Sequence, residues 1–319
     1  MAEPRSFSLQ VIVISAAILA AGCGADDGGT PLWDGVIDSG GWDTFGDSAG
    51  DTAVDTISDV PTEVPVDDCA ERARWVYLVA EDKSLLRFYP DILNFELVGT
   101  LSCPAGALAN PFSMSVDRNA DAWVLYAPAL GGGQLYKVST LDASCTATSF
   151  AASQNGFDLF GMGFASNSSG SEDETLCVAG GGALSIGTGN AQLGWVDMTS
   201  LILTPIGSVQ GWPEMTGTGA GELWGFDPYS TPPSIIQLDK WSGSVLYTYN
   251  TTIPSGVTEA WAFAFWGGDF YVFFKLSADA STKVYKLETD DGSTSIVVPD
   301  SGYKIVGAGV STCAPVVFI

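Results

Sequence analysis

From Cys69 onward, runs of aromatic and β-branched residues alternate with turns rich in Gly, Pro, Asn and Asp, and no stretch keeps a helical period. The pattern predicts short strands throughout. One element recurs five times as a tight apolar cluster broken by one polar or small residue: Leu85 to Phe88, Leu135 to Val138, Leu193 to Val196, Ile235 to Leu238 and Val284 to Leu287, with starts 50, 58, 42 and 49 residues apart. An aromatic-rich run precedes each: Trp75 to Val79, Trp123 to Tyr126, Thr175 to Ala179, Leu223 to Phe226 and Phe270 to Phe274. Another extended run follows each: Phe95 to Leu101, Thr146 to Phe150, Leu203 to Val209, Val245 to Tyr249 and Ile296 to Val298. A fourth element carries small residues at alternate positions: Ser113/Ser115, Gly161/Gly163, Gly217/Gly219, Ala262/Ala264 and Gly307/Gly309.

Four strands in each repeating unit predict an all-β fold, a five-bladed β-propeller over residues 69–319. The small-residue strand is placed innermost, because five inner strands crowd a narrow axis and leave no room for bulk. The first unit lacks its inner strand, and one inner strand, Ile305 to Val310, is left over at the C-terminus. Paired with Trp75 to Val79, it would complete blade one and close the ring. The longest gap, in blade three, is taken up by the polar insert Ser166 to Glu174. A β-sandwich is the alternative, since it too gives evenly spaced short strands.

The N-terminal part reads differently. Val11 to Ala21 is an apolar run too short to span a bilayer as a mature helix, and small residues follow it, the layout of a cleaved secretory signal. Leu19-Ala20-Ala21-Gly22-Cys23 resembles the lipobox of bacterial lipoproteins. That resemblance implies a signal peptide over residues 1–22, acylation of Cys23, and a membrane partner reached through the lipid. With Gly24 next, it implies the outer membrane of a cell envelope.

Residues 24–68 hold 12 acids and no Lys or Arg, out of 37 acids and 12 bases in the 319-residue chain. Within them aspartate stands at every fourth position, from Asp43 through Asp47, Asp51 and Asp55 to Asp59. On a helix these like charges would repel and Gly46 and Gly50 would weaken the turn. The spacing also misses the ligand positions of an EF-hand loop. The expectation is a disordered, self-repelling tether over residues 23–68, roughly 35–40 Å in root-mean-square length. It is similar to the Asp-rich spacers of myxobacterial outer-membrane lipoproteins. The formal charge of −25, with no cluster of bases, argues against nucleic acid as a partner.

Beyond Cys23 the cysteines are Cys69, Cys103, Cys145, Cys177 and Cys313. In an exported protein they favour disulfides. Ring closure brings Cys69 and Cys313 to one end of blade one, and Cys103 with Cys145 is the second candidate pair; Cys177 is left as a buried strand thiol.

The chain has no histidine. Ser-His-Asp and Cys-His nucleophile systems and His-bearing zinc or haem sites are therefore excluded. Gly131-Gly132-Gly133 and Gly180-Gly181-Gly182 lack the context of a phosphate loop and are read as hairpin turns. The repeat suggests one constellation: Asn110, Asp158, Glu214, Glu259 and Lys304 each stand three positions before a small residue of an inner strand. Together they would ring one mouth of the channel. Oxygen ligands of this kind suit Ca²⁺, and paired carboxylates suit glycoside hydrolysis. Strict alternation along a strand would instead put them on the face opposite the small residues. Of the tryptophans, Trp212, Trp261, Trp266 and Trp241 are candidates either for blade packing or for contact with a sugar or protein. The expected function is a binding or scaffold propeller with a protein or glycan partner and no recognisable catalytic site. A metal-dependent or carbohydrate-active hydrolase using Asp158, Glu214 and Glu259 is the alternative.

Overall fold

The computed structural model describes residues 69–128, 132–189 and 191–317. The signal segment, Cys23 and the acidic tether lie outside the described residues. The chain divides into Met1–Thr62 and Glu63–Ile319, and the described residues belong to the second unit.

That unit is a ring of five antiparallel four-stranded sheets. Blade one contains β1 (Val76–Ala80), β2 (Ser84–Tyr89) and β3 (Asn94–Thr100). Blade two runs β4 (Asn110–Val116), β5 (Asp121–Ala127), β6 (Gln134–Ser139) and β7 (Cys145–Ala147). Blade three runs β8 (Leu159–Ser166), β9 (Glu174–Gly181), β10 (Ala191–Val196) and β11 (Leu203–Val209). Blade four has β12 (Glu214–Gly217), β13 (Leu223–Asp227), β14 (Ser234–Leu238) and β15 (Val245–Asn250). Blade five has β16 (Thr258–Trp266), β17 (Asp269–Leu276), β18 (Lys283–Leu287) and β19 (Thr294–Val298). The last strand, β20 (Ile305–Gly309), pairs with β1 and is the inner strand of blade one. The inner strands contact one another in the cycle β20, β4, β8, β12, β16 and back to β20, so this is a closed β-propeller. Among the described residues, no helix is long and apolar enough to cross a membrane.

Burial follows position in the blade. Second strands lie between neighbouring blades on both faces; β1 and β13 are buried at every residue, which explains the apolar runs Val76 to Ala80 and Leu223 to Phe226. Outer strands such as β15 are exposed along one edge. Aromatic rings fill the interfaces between blades: Phe88 of blade one lies 5.4 Å edge-on from Phe273 of blade five. Phe226 of blade four lies 5.6 Å edge-on from Phe274 of blade five.

Small inner residues are required by the neighbouring backbone. A Cβ at Gly307 would lie 2.8 Å from the Met114 nitrogen, and one at Gly163 would lie 2.9 Å from the Thr216 Cα. Where a hydroxyl fits, it joins blades: Phe164 N donates to Ser115 Oγ at 3.0 Å, and Phe265 N donates to Thr216 Oγ1 at 3.2 Å.

Three expectations are corrected. In blade four the small pair is not Gly217/Gly219: Thr216 faces Trp224 as Ser115 faces Trp123, so Glu214 stands where Ser113 stands in blade two. The glycines misled the repeat because they lie at the hairpin leaving β12. The insert Ser166 to Glu174 is a hairpin between β8 and β9, and its last residue begins β9. The outer strand of blade two spans Cys145–Ala147 only; beyond it the Thr148 hydroxyl donates to the Leu135 carbonyl at 2.6 Å, replacing the ladder.

Both disulfides form, Cys69–Cys313 with Cα atoms 5.9 Å apart and Cys103–Cys145 with Cα atoms 5.0 Å apart. Cys177 is unbridged and buried.

Candidate functional site: the mouth cavity

At the end of the ring where the inner strands begin lies a cavity of about 330 Å³. Its lining includes Asn110, Glu214, Glu259, Lys304, Glu81, Phe112 and Trp261. Three of these stand on irregular strand starts. Pairing slips between Pro111 and Ser113 in β4, between Thr258 and Ala260 in β16, and between Val79 and Ala80 opposite β20. An extra residue at each bulge breaks the strict alternation, which lets Asn110, Glu259 and Lys304 reach the cavity from three positions before a small residue.

The pairing of β8 with β9 has no such slip, and Asp158 is not among the lining residues. Its carboxylate accepts from Ser153 Oγ at 2.7 Å and from Ala183 N at 3.2 Å, tying two turns of blade three together.

Glu214 reaches the cavity differently. It occupies the axial position that is serine in blade two and glycine in blade three, and its side chain lies beneath the mouth, where Ser113 Oγ of blade two donates to it. It is 2% exposed. Burial raises its carboxyl well above the ordinary carboxylate range, against the opposing hydrogen bonds from Ser113 and the Met162 backbone.

Glu259 is the reverse case. Lys275 Nζ hydrogen-bonds one carboxylate oxygen and Lys304 Nζ approaches the other at 3.0 Å. These contacts, that of Lys275 first, hold its carboxyl below the ordinary range. Lys304 also pairs with Glu81 at 2.9 Å. Burial pulls the Lys304 amine down, but Glu81 and Glu259 outweigh it and the net shift is upward. Two carboxylates and two ammonium groups therefore balance around the mouth. Glu81 and Lys275 were missed in the sequence because they lie outside the inner strands, Glu81 in the turn after β1 and Lys275 on β17; the lone cation Lys304 was the signal that acids must gather near it.

The apolar side of the cavity is Phe112 against Trp261, centroids 6.5 Å apart and nearly perpendicular, with Tyr229 edge-on to Trp261 at 5.5 Å. Trp212 is buried in the core, Trp266 donates its indole N–H to the Arg74 carbonyl at 2.8 Å, and Trp241 stands exposed on a turn. Among the described residues, no group of three or more His, Cys, Asp or Glu side chains is placed to hold a metal ion.

No family model matches the chain. No curated protein matches it either. Among solved structures, TolB from Acinetobacter baumannii is similar at 15% identity and a TM-score of 0.43, over 70% of this chain and 52% of that one. A protein of unknown function from Bacteroides caccae is similar at 10% identity and a TM-score of 0.40, over 73% and 84% of the two chains. A gluconolactonase from Xanthomonas campestris is similar at 17% identity and a TM-score of 0.37, over 60% and 62%. The chain thus spans about half the length of the TolB it matches.

Proposed function

We propose that this chain is a non-enzymatic binding propeller of the cell envelope, anchored through lipid on Cys23 and contacting a neutral glycan at the mouth cavity. One observation carries the reading: the three mouth carboxyls already have partners, Glu81 in Lys304. Glu259 is clamped between Lys275 and Lys304. Glu214 is buried and bonded by Ser113. A balanced ring of charge beside the Phe112 and Trp261 wall suits a partner that is polar but uncharged, with the aromatic face taking a sugar ring. The test is a glycan array probed with the purified protein, followed by calorimetric titration of any hit. Binding of neutral glycans, weakened at least tenfold in Trp261→Ala, is the expected result. Binding confined to charged glycans, or none at all, would count against the reading. Ca²⁺ or EDTA should leave the melting temperature unchanged. Loss of palmitate labelling in Cys23→Ser tests the anchor.

A second reading, acid–base hydrolysis of glycosides, draws on the opposite displacement of the two carboxyls, Glu214 upward and Glu259 downward. Release of nitrophenol from nitrophenyl glycosides by the wild type, abolished in Glu214→Gln, would establish it over the first.

A further inference from the structure

A second cavity, of about 560 Å³, opens at the opposite end of the ring between blades four and five, where β12 and β16 finish. Its walls are aromatic. Trp224 and Tyr249 stack with centroids 5.8 Å apart at 28°, and Phe270 lies 4.9 Å from Trp224 on the next blade. Its polar lining is acidic: Glu222, Asp269 and Asp290 contribute carboxylates, and no Lys or Arg lines it. Asp269 is neutralised by Lys286 at 2.8 Å.

The other two carboxylates have no basic partner among the described residues. Glu222 accepts only from neutral donors, Trp224 Nε1 at 3.2 Å and Gln237 Nε2 at 3.3 Å, which fix its position and leave its charge uncompensated. Asp290 stands exposed on the turn after β18. Both reach the same aromatic wall: the Tyr249 phenol is raised by burial first, and then by the negative fields of Tyr247, Glu222 and Asp290.

The geometry points to this cavity as a binding site for an organic cation, an alkyl-ammonium group held against the Trp224 and Tyr249 rings and between the Glu222 and Asp290 carboxylates. Aromatic faces attract ammonium through their quadrupole, and uncompensated carboxylates beside them supply the Coulomb attraction that an apolar cavity lacks. A small inorganic ion would want several oxygen ligands in one shell, and among the described residues no group of three or more His, Cys, Asp or Glu side chains is placed to hold one. The chain's net charge of −25 would also draw cations toward it. The site is separate from the mouth and does not depend on the function proposed there.

The experiment is calorimetric titration of the intact protein with 1,4-diaminobutane at low ionic strength, with 1,4-butanediol as the uncharged counterpart. Saturable binding of the diamine, no binding of the diol, and at least a tenfold loss in Glu222→Gln/Asp290→Asn are expected. Asp290→Asn alone alters an exposed turn and keeps the fold; it should weaken binding about threefold, with an unchanged melting curve as the control. No saturable heat with the diamine, equal binding of the diol, unchanged affinity in the variants, or one-for-one displacement by Ca²⁺ would each overturn the proposal.

Discussion

Two carboxyls, Glu174 and Glu214, resist ionisation because the fold takes them out of water, and neither is paired with a lysine. Glu174 begins β9 and accepts from Arg118 N at 2.9 Å and from Thr312 Oγ1 at 2.8 Å, so it joins blade three to blade two and to the segment after β20. Burial raises its carboxyl to about 7 in spite of these bonds. In the unfolded chain the same group titrates near 4.5. Folding therefore takes up a proton between those values, and the stability this group supplies below about pH 4.5 is lost as pH rises through about 7. The size is on the order of 3 kcal/mol. Urea unfolding at pH 5 and pH 8 should show a larger fall in stability for the wild type than for Glu174→Gln; equal falls would mean that Glu174 ionises freely. The sequence did not betray this residue, because it ends a polar run and its burial comes from Arg118 and Thr312, 56 and 138 positions away. Glu214 was visible as a candidate but on the wrong level. Its place on the axis follows from the register of β12 with β13, which the neighbouring glycines obscured.

At the scale of the strand, the pattern was legible wherever burial alone decides the residue. Second strands such as β13 are buried at every position, and apolar up to the closing Asp227, because both faces are covered, and third strands such as β6 keep their polar residues to half-buried positions. Boundaries were less legible where a side chain replaces the ladder, as Thr148 does after β7, or where a bulge breaks alternation, as in β4 and β16. The bulges also decide the site: they deliver Asn110 and Glu259 to the mouth, while the regular β8 leaves Asp158 to its own turns. The small inner residues were legible because sterics leave no alternative. Gly307→Val would place its first carbon 2.8 Å from the Met114 nitrogen, against backbone that cannot swing aside. A loss of about 2–4 kcal/mol is expected. Gly302→Ala, at φ +74° with open space around it, should lose only about 1 kcal/mol. Scanning calorimetry of the two variants checks the contrast; a Gly307→Val protein as stable as Gly302→Ala would mean that the inner strands can move apart.

For the whole molecule, the closed ring was readable by counting, since one inner strand was missing at the start and one was left over at the end. What counting could not give was how firmly the ring is held. Blade one is assembled from both ends of the described chain, so opening β20 from β1 opens the propeller. The Cys69–Cys313 bridge spans 244 residues at this seam, whereas Cys103–Cys145 spans 42 residues, from the loop between β3 and β4 to the start of β7. If cross-links act by removing loop entropy from the unfolded chain, the gain grows with the logarithm of the loop, and the longer bridge should contribute about 1.5 kcal/mol more. Closure adds a second reason in the same direction: without the bridge, β20 can fray from β1 while the other four blades stay paired. Urea unfolding of Cys69→Ser/Cys313→Ser should therefore show both a larger loss than Cys103→Ser/Cys145→Ser and a shallower transition, because a frayed ring unfolds less cooperatively. Proteolysis under native conditions should locate the first cuts near residue 304, ahead of β20, in the first variant alone. Equal losses from the two double variants, with cuts in the same places, would mean that strand pairing alone closes the ring and that the seam disulfide adds nothing beyond an ordinary cross-link.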